Sequence, residues 1–143
     1  MLAEANVELR AIELKDTFLP EVLPVLRDLY MEEKNWEPLL GVVKALTMQR
    51  PKEHRWWIDW AYALRELNQV EEAKAVLLKA ERTHGFVCAI LHYNLASYCC
   101  LLGEQVEAKE RLSRACMMDP SWKQAALGDE DLKTLWDDIA SMK

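Results

Sequence analysis

The spacing of small and large apolar residues in the second half of the chain most restricts what it can fold into. Ala73, Leu77 and Ala80 recur as Ala108, Leu112 and Ala115, 35 positions later. Trp60-Ala61 and Leu95-Ala96 precede these triplets by the same interval. Intervals of four and three are those of one helix face. Recurrence at a period of roughly 20–50 residues marks a chain built from one supersecondary unit stacked on copies of itself. The small residues at 61, 73, 80, 96, 108 and 115 let paired helices approach closely, and their large neighbours fill the spaces left between.

Each unit reads as two helices. Tyr62–Leu67 and Val70–Ala80 flank the polar pair Asn68-Gln69, and Ser97–Leu102 and Gln105–Ala115 flank Gly103. Asn or Gly there can adopt the left-handed conformation that ends a helix. Arg50-Pro51 and Asp119-Pro120 predict helix ends, because the residue before proline is pushed out of the α region. Asn35 reads as a cap, with Pro38 in the first turn behind it, where a missing N–H is harmless. Four Gly and five Pro in 143 residues are too few for a turn-rich β chain or a low-complexity one.

These residues resemble the tetratricopeptide repeat. In that family the first helix carries a large residue, then a large–small pair, then a large one. The second helix carries small, large and small, and a proline closes the unit. Residues 54–87 match with Trp57, Trp60-Ala61, Leu64, Ala73, Leu77, Ala80 and Gly85. Residues 89–122 match with His92, Leu95-Ala96, Cys99, Ala108, Leu112, Ala115 and Pro120. A degenerate unit over 20–53 offers Leu23, Leu26, Arg27, Tyr30, Leu39, Val43, Leu46 and Pro51, with Arg27 and Leu39 in place of small residues. The resemblance implies an all-α fold: a right-handed α-α superhelix of about three helix-turn-helix units within a single domain. An N-terminal helix over 1–19 is expected to dock on the first unit. A capping helix over 123–143, begun at Asp129, is expected to cover the last core with Leu132, Leu135, Trp136 and Ile139.

Composition limits the function. Eighteen Lys and Arg against 24 Asp and Glu give a net charge of −6, which disfavours nucleic acid as a partner. No apolar run approaches the roughly 20 residues of a membrane span. The first fifteen residues mix acids and bases among apolar positions, unlike a signal peptide. Cys88, Cys99, Cys100 and Cys116 contain no C-x-x-C spacing, and a reducing cytoplasm is the expected location.

Candidate chemistry is sparse. His84, Cys88 and His92 stand four residues apart, a spacing zinc could use with a fourth ligand. Gly85 interrupts the helix between the first two, and packed core positions are the preferred reading. Cys99-Cys100 lacks a neighbouring Lys or Arg to generate a thiolate, so burial is preferred over redox chemistry. No Ser/His/Asp grouping, phosphate loop or HExxH is present. The expectation is a non-enzyme without cofactor or metal. Trp57 and Trp60 are expected in the core, and Trp56 against the preceding helix.

The resemblance also implies a concave groove lined by the first helix of each unit. Its expected peptide-binding residues are Arg55, Ile58, Asp59, Tyr62 and Arg65 from the middle unit, and Tyr93, Asn94 and Ser97 from the last. Glu21, Pro24, Val25, Asp28, Met31 and Glu32 line it in the degenerate unit, and Ile90, Cys100 and Leu101 at its apolar end. Relatives that clamp a terminal carboxylate use paired Lys, Asn and Arg, which only Asn94 and Arg55 approach. The expected function is that of an adaptor or chaperone holding a protein or peptide partner. Small acidic proteins of similar build serve as bacterial secretion chaperones. Two alternatives stay open: a homo-oligomerisation module, and a Cys/His metal or redox sensor.

Overall fold

The computed structural model describes residues 21–141, so the helix expected over 1–19 lies outside the described residues. Among the described residues every regular element is helical and none is a strand. The chain divides into two compact units, residues 1–76 and 77–143.

The first unit contains α1 (Val22–Glu33), α2 (Trp36–Gln49) and α3 (His54–Glu66). The helix α4 (Val70–His84) begins in it. The second unit contains the end of α4, then α5 (Ala89–Leu101), α6 (Gln105–Met118) and α7 (Ser121–Leu127). A 3₁₀ helix (Glu130–Leu135) and α8 (Trp136–Ser141) complete it.

One turn occurs three times. Lys34, Asn68 and Gly103 adopt left-handed backbone, with φ of 54°, 64° and 80°. At each, one N–H bonds back across three residues and the next across five. The bonds are Lys34 to Met31 and Asn35 to Tyr30, Asn68 to Arg65 and Gln69 to Leu64, and Gly103 to Cys100 and Glu104 to Cys99. These paired bonds close the last turn of α1, α3 and α5 and satisfy carbonyls that would otherwise be orphaned. Asn68 and Gly103 are the residues whose chemistry suits that conformation. Lys34 is not, and its left-handed backbone carries a cost of roughly 1 kcal/mol.

The residue after each turn begins the next helix through its backbone carbonyl: Asn35 O accepts from Leu39 N–H, Gln69 O from Ala73, and Glu104 O from Ala108. Asn35 stands at the expected cap position, but its side chain makes no capping hydrogen bond. α2 and α6 end where the following proline requires. Arg50 and Asp119 leave the helical region, with ψ of 63° and 103°.

The small positions are where helices touch. Ala61, Ala73, Ala80, Ala96, Ala108 and Ala115 are all fully buried. In the first unit, Leu23, Val42, Ala45, Leu46 and Trp56 form one core, with Leu26 and Tyr30 at its edge. The tryptophan expectation holds for Trp56, which packs with Leu23, Leu26 and Tyr30 of the preceding repeat's first helix, and fails for Trp57 and Trp60. Trp56 is 1% exposed, whereas Trp57 and Trp60 are half-buried and stack on one another at 5.8 Å. The inward face of α3 runs through Trp56, and its indole N–H is satisfied by the Glu53 carboxylate at the helix start. Trp57 turns outward and donates instead to the Pro51 carbonyl at 2.8 Å.

The second unit packs α5 among its neighbours so completely that nine of its thirteen residues are buried. Its core continues through Ala108, Leu112, Ala115, Ala126, Leu132, Leu135 and Ile139. The segment after 122 differs from the single helix expected there. α7 stops at Gly128, and Asp129 starts a 3₁₀ helix by accepting from the Asp131 N–H at 3.0 Å. The α form resumes only at Trp136, whose indole N–H donates to the Ala126 carbonyl at 2.9 Å. Leu132, Leu135 and Ile139 are buried as the stripe predicts, each at 1% exposure or less.

Candidate functional site

The expected partner-contacting residues divide between the two units and meet different surroundings. In the first unit, Arg55 is exposed and its guanidinium lies over the Trp56 ring, 4.3 Å from the centroid. Tyr62 is 38% exposed and stands edge-on to Trp36, with ring centroids 5.6 Å apart. Arg65 is half-buried, 3.6 Å from the Glu66 carboxylate. These three present polar groups at the surface of α3.

Ile58 and Asp59 do not. Ile58 is 8% and Asp59 7% exposed. Arg27 engages both oxygens of Asp59, with Nε to Oδ2 at 2.7 Å and Nη2 to Oδ1 at 2.9 Å. The Asp59 carboxylate raises the Arg27 guanidinium above its ordinary range, mainly through this hydrogen bonding. Arg27 occupies the place where the other units carry Ala61 and Ala96. The departure from the repeat pattern is thus absorbed by a carboxylate on α3.

In the second unit the correction is larger. Tyr93, expected on an open face, is 7% exposed. Its hydroxyl donates to Asp129 Oδ2 at 2.8 Å, and its ring packs on Trp122 at 4.5 Å. Burial and the adjacent Asp129 carboxylate push the Tyr93 phenol far above its usual range. Ser97 is buried and Asn94 half-buried. Cys100 is 9% exposed, and its thiol lies 3.8 Å from Thr134 Oγ1. The residues from Trp122 to Thr134 therefore cover the side of α5 on which Tyr93 and Cys100 lie. Sequence periodicity assigns a face to each residue. It does not reveal that a non-repeating segment folds back on that face.

The degenerate unit keeps four of its expected positions open, while Pro24 and Met31 are half-buried. Glu21 at the N-cap of α1 and Val25, Asp28 and Glu32 on it are exposed, and so is Leu29 beside them, which the repeat register did not single out. Across its inner side, Leu23 is fully buried.

His84, Cys88, His92, Cys99 and Cys100 are all buried. His92 is 3% exposed; Nε2 lies 2.7 Å from the Gly85 carbonyl and Nδ1 3.3 Å from Arg111. A carbonyl can only accept and a guanidinium only donate, so Nε2 carries the proton and Nδ1 accepts. Arg111 also pairs with Glu81, and Arg114 approaches the same carboxylate at 3.5 Å. The Arg111 guanidinium holds Glu81 below its usual range. Gly85 is required at this point, because a Cβ there would lie 2.8 Å from the Glu81 carbonyl oxygen.

Among the described residues, His84, Cys88 and His92 form no group with converging ligand atoms. Cys99, Glu104 and Glu107 do, within 4.8 Å of one another. Arg111 Nε lies 4.0 Å from Glu107 and competes with any cation for that carboxylate. All four cysteines are free thiols, and burial raises Cys88, Cys100 and Cys116, which lowers their thiolate fraction. A shallow depression of about 590 Å³ along the start of α6, lined by Glu104, Glu107, Glu110, Arg111 and Arg114 among others, lies outside the expected positions.

No protein family and no curated protein matches the chain. No helix of the described residues is long and apolar enough to cross a membrane.

Proposed function

We propose that this chain is a protein-interaction module of the tetratricopeptide kind, without catalytic activity, that holds a segment of a partner protein against the first helices of its repeats in the cytoplasm. The observation that carries this reading is the turn repeated at Lys34, Asn68 and Gly103, at intervals of 34 and 35 residues. The same left-handed turn recurring at that interval supports a chain of repeated helix pairs, and repeat proteins of that kind present extended surfaces suited to chain segments. Arg55, Tyr62 and Arg65 are the contacts this reading assigns on α3. Tyr and Arg combine large contact area with directional hydrogen bonding.

Affinity purification of the chain from its native cells, with partners identified by mass spectrometry, tests the reading directly. A stoichiometric partner is expected. Tyr62→Ala or Arg65→Ala should then weaken binding by about 1–2 kcal/mol without lowering helical content. Purification of the chain alone, with these variants indistinguishable from wild type in every binding assay, would refute it.

A second reading, self-association, is favoured by Phe86 and Val87. They are 94% and 73% exposed on the connection between α4 and α5. Light scattering across a concentration series separates the two readings. A mass that rises with concentration, and returns to that of a single chain in Phe86→Ser, supports the oligomeric one.

A further inference from the structure

We infer that the exposed face of α1 is a docking surface for a basic, amphipathic segment of a partner protein. The inference rests on the interaction-module reading and names the partner's chemistry and the helix it meets. Glu21, Val25, Asp28, Leu29 and Glu32 recur at intervals of four, three, one and three residues, which places them within one sector of the helix about 100° wide. All five are exposed, with Val25 at 66% and Leu29 at 49%. Two large apolar side chains thus stand between three carboxylates.

The face is fixed from behind. Leu23 is fully buried, and Arg27 is tied to Asp59 while its Nη1 donates to Asp28 Oδ1 at 3.0 Å. The surface is therefore preformed, and a partner need not order it on binding. Glu21 and Glu32 are eleven residues apart, about 16 Å along a helix. That span suits roughly three turns of a helical partner, with apolar residues on Val25 and Leu29 and Lys or Arg at both ends.

Charge decides the occupant. A second copy would bring six carboxylates together on a chain that already carries −6. A basic segment gains attraction over the same contacts.

The test uses the full chain and two labelled amphipathic peptides of equal length, one of Leu and Lys and one of Leu and Glu, in fluorescence anisotropy at about 150 mM salt. The Leu/Lys peptide should bind and the Leu/Glu peptide should not. Glu21→Lys with Glu32→Lys, and separately Val25→Ser with Leu29→Ser, should each weaken binding about tenfold or more. Glu71→Lys with Glu72→Lys makes the same charge change on exposed positions of α4 and should stay within about twofold of wild type. Circular dichroism confirms that each variant keeps its helices.

An equal loss in the α4 control would reduce the binding to net charge and overturn the inference. So would unchanged binding in both α1 variants. Binding that depends on Tyr62 and Arg65 instead would overturn the inference while leaving the module reading intact. A dimer in light scattering that Val25→Ser with Leu29→Ser dissolves would make a second copy the occupant. Failure of both peptides, together with affinity purification that recovers no partner, would remove both readings.

Discussion

Arg27 and Asp59 form a two-point ion pair between α1 and α3, with both carboxylate oxygens engaged at 2.7 and 2.9 Å. The pair places a long charged side chain where the other units carry alanine. The Asp59 side chain is 11% and the Arg27 side chain 22% exposed, so each charge depends on the other for solvation.

Removing one partner should therefore cost more than removing both. Asp59→Ala leaves the Arg27 guanidinium facing a half-buried void, and a loss of about 2–4 kcal/mol is expected. Arg27→Met with Asp59→Leu should recover most of it. Urea titrations of Arg27→Met, Asp59→Leu and the double variant supply the cycle; additive losses would show that the two groups do not act as a pair.

The packing alanines give a second prediction. Ala73 and Ala108 are fully buried at the start of α4 and α6. Leucine at either site forces extra methylenes into filled space and should lower stability by about 1–3 kcal/mol. Serine at exposed Glu110 is the control, and its denaturation midpoint should hardly move.

Tyr93 predicts behaviour in alkali. Its phenol is raised in the folded chain, so the folded state resists ionisation that the unfolded chain undergoes near pH 10. The stability this contributes is complete below about pH 10 and falls as pH rises above it. Wild type should lose stability between about pH 10 and 12 more steeply than Tyr93→Phe. At neutral pH the same variant should cost about 1–2 kcal/mol, because Asp129 loses its donor. Denaturation midpoints over a pH series read both effects.

Glu81 predicts behaviour in acid. Arg111 holds its carboxyl below the usual value, so its contribution is present above the unfolded pKa, near 4.5, and is lost as pH falls through the lower folded value. Glu81→Gln should therefore flatten the decline of stability below about pH 4.5. Parallel slopes for variant and wild type in thermal scans would show that the Arg111 contact contributes nothing to folding.

The C-terminal stripe gives the last prediction. Leu132 and Leu135 are at 0% and 1% exposure, and alanine at either should cost about 2–5 kcal/mol. The same change should loosen the cover over Tyr93, read as a red shift in tryptophan fluorescence, since Trp122 packs on the Tyr93 ring. A loss of stability without that shift would separate the segment's packing from its cover over α5.

The helices between residues 21 and 118 and their order were legible in the chain, whereas the break of the C-terminal segment into two short helices and a 3₁₀ turn was not. Asn68, Gly103, Pro51 and Pro120 act through their own backbone preferences, so each marks its boundary wherever it stands. The buried alanines were legible for a similar reason, since spacing of three and four residues assigns one helix face without knowledge of the neighbour. Lys34 was not, because nothing in a lysine favours left-handed backbone; the adjoining helices impose it. Trp57 was assigned to the core and proved half-buried beside the buried Trp56, because repeat register fixes a position only to within one residue's rotation of the face. Tyr93 and Asp59 depended wholly on tertiary contacts. Their exposure is decided by Trp122, Asp129 and Arg27, which lie 29, 36 and 32 residues away. The chain by itself therefore determined the helices of its repeated pairs, the turns at Asn68 and Gly103 and the small residues between helices, which are local properties of backbone and period. Which of the amphipathic side chains remain available to a partner was decided only by the fold, because burial depends on what distant segments place against them.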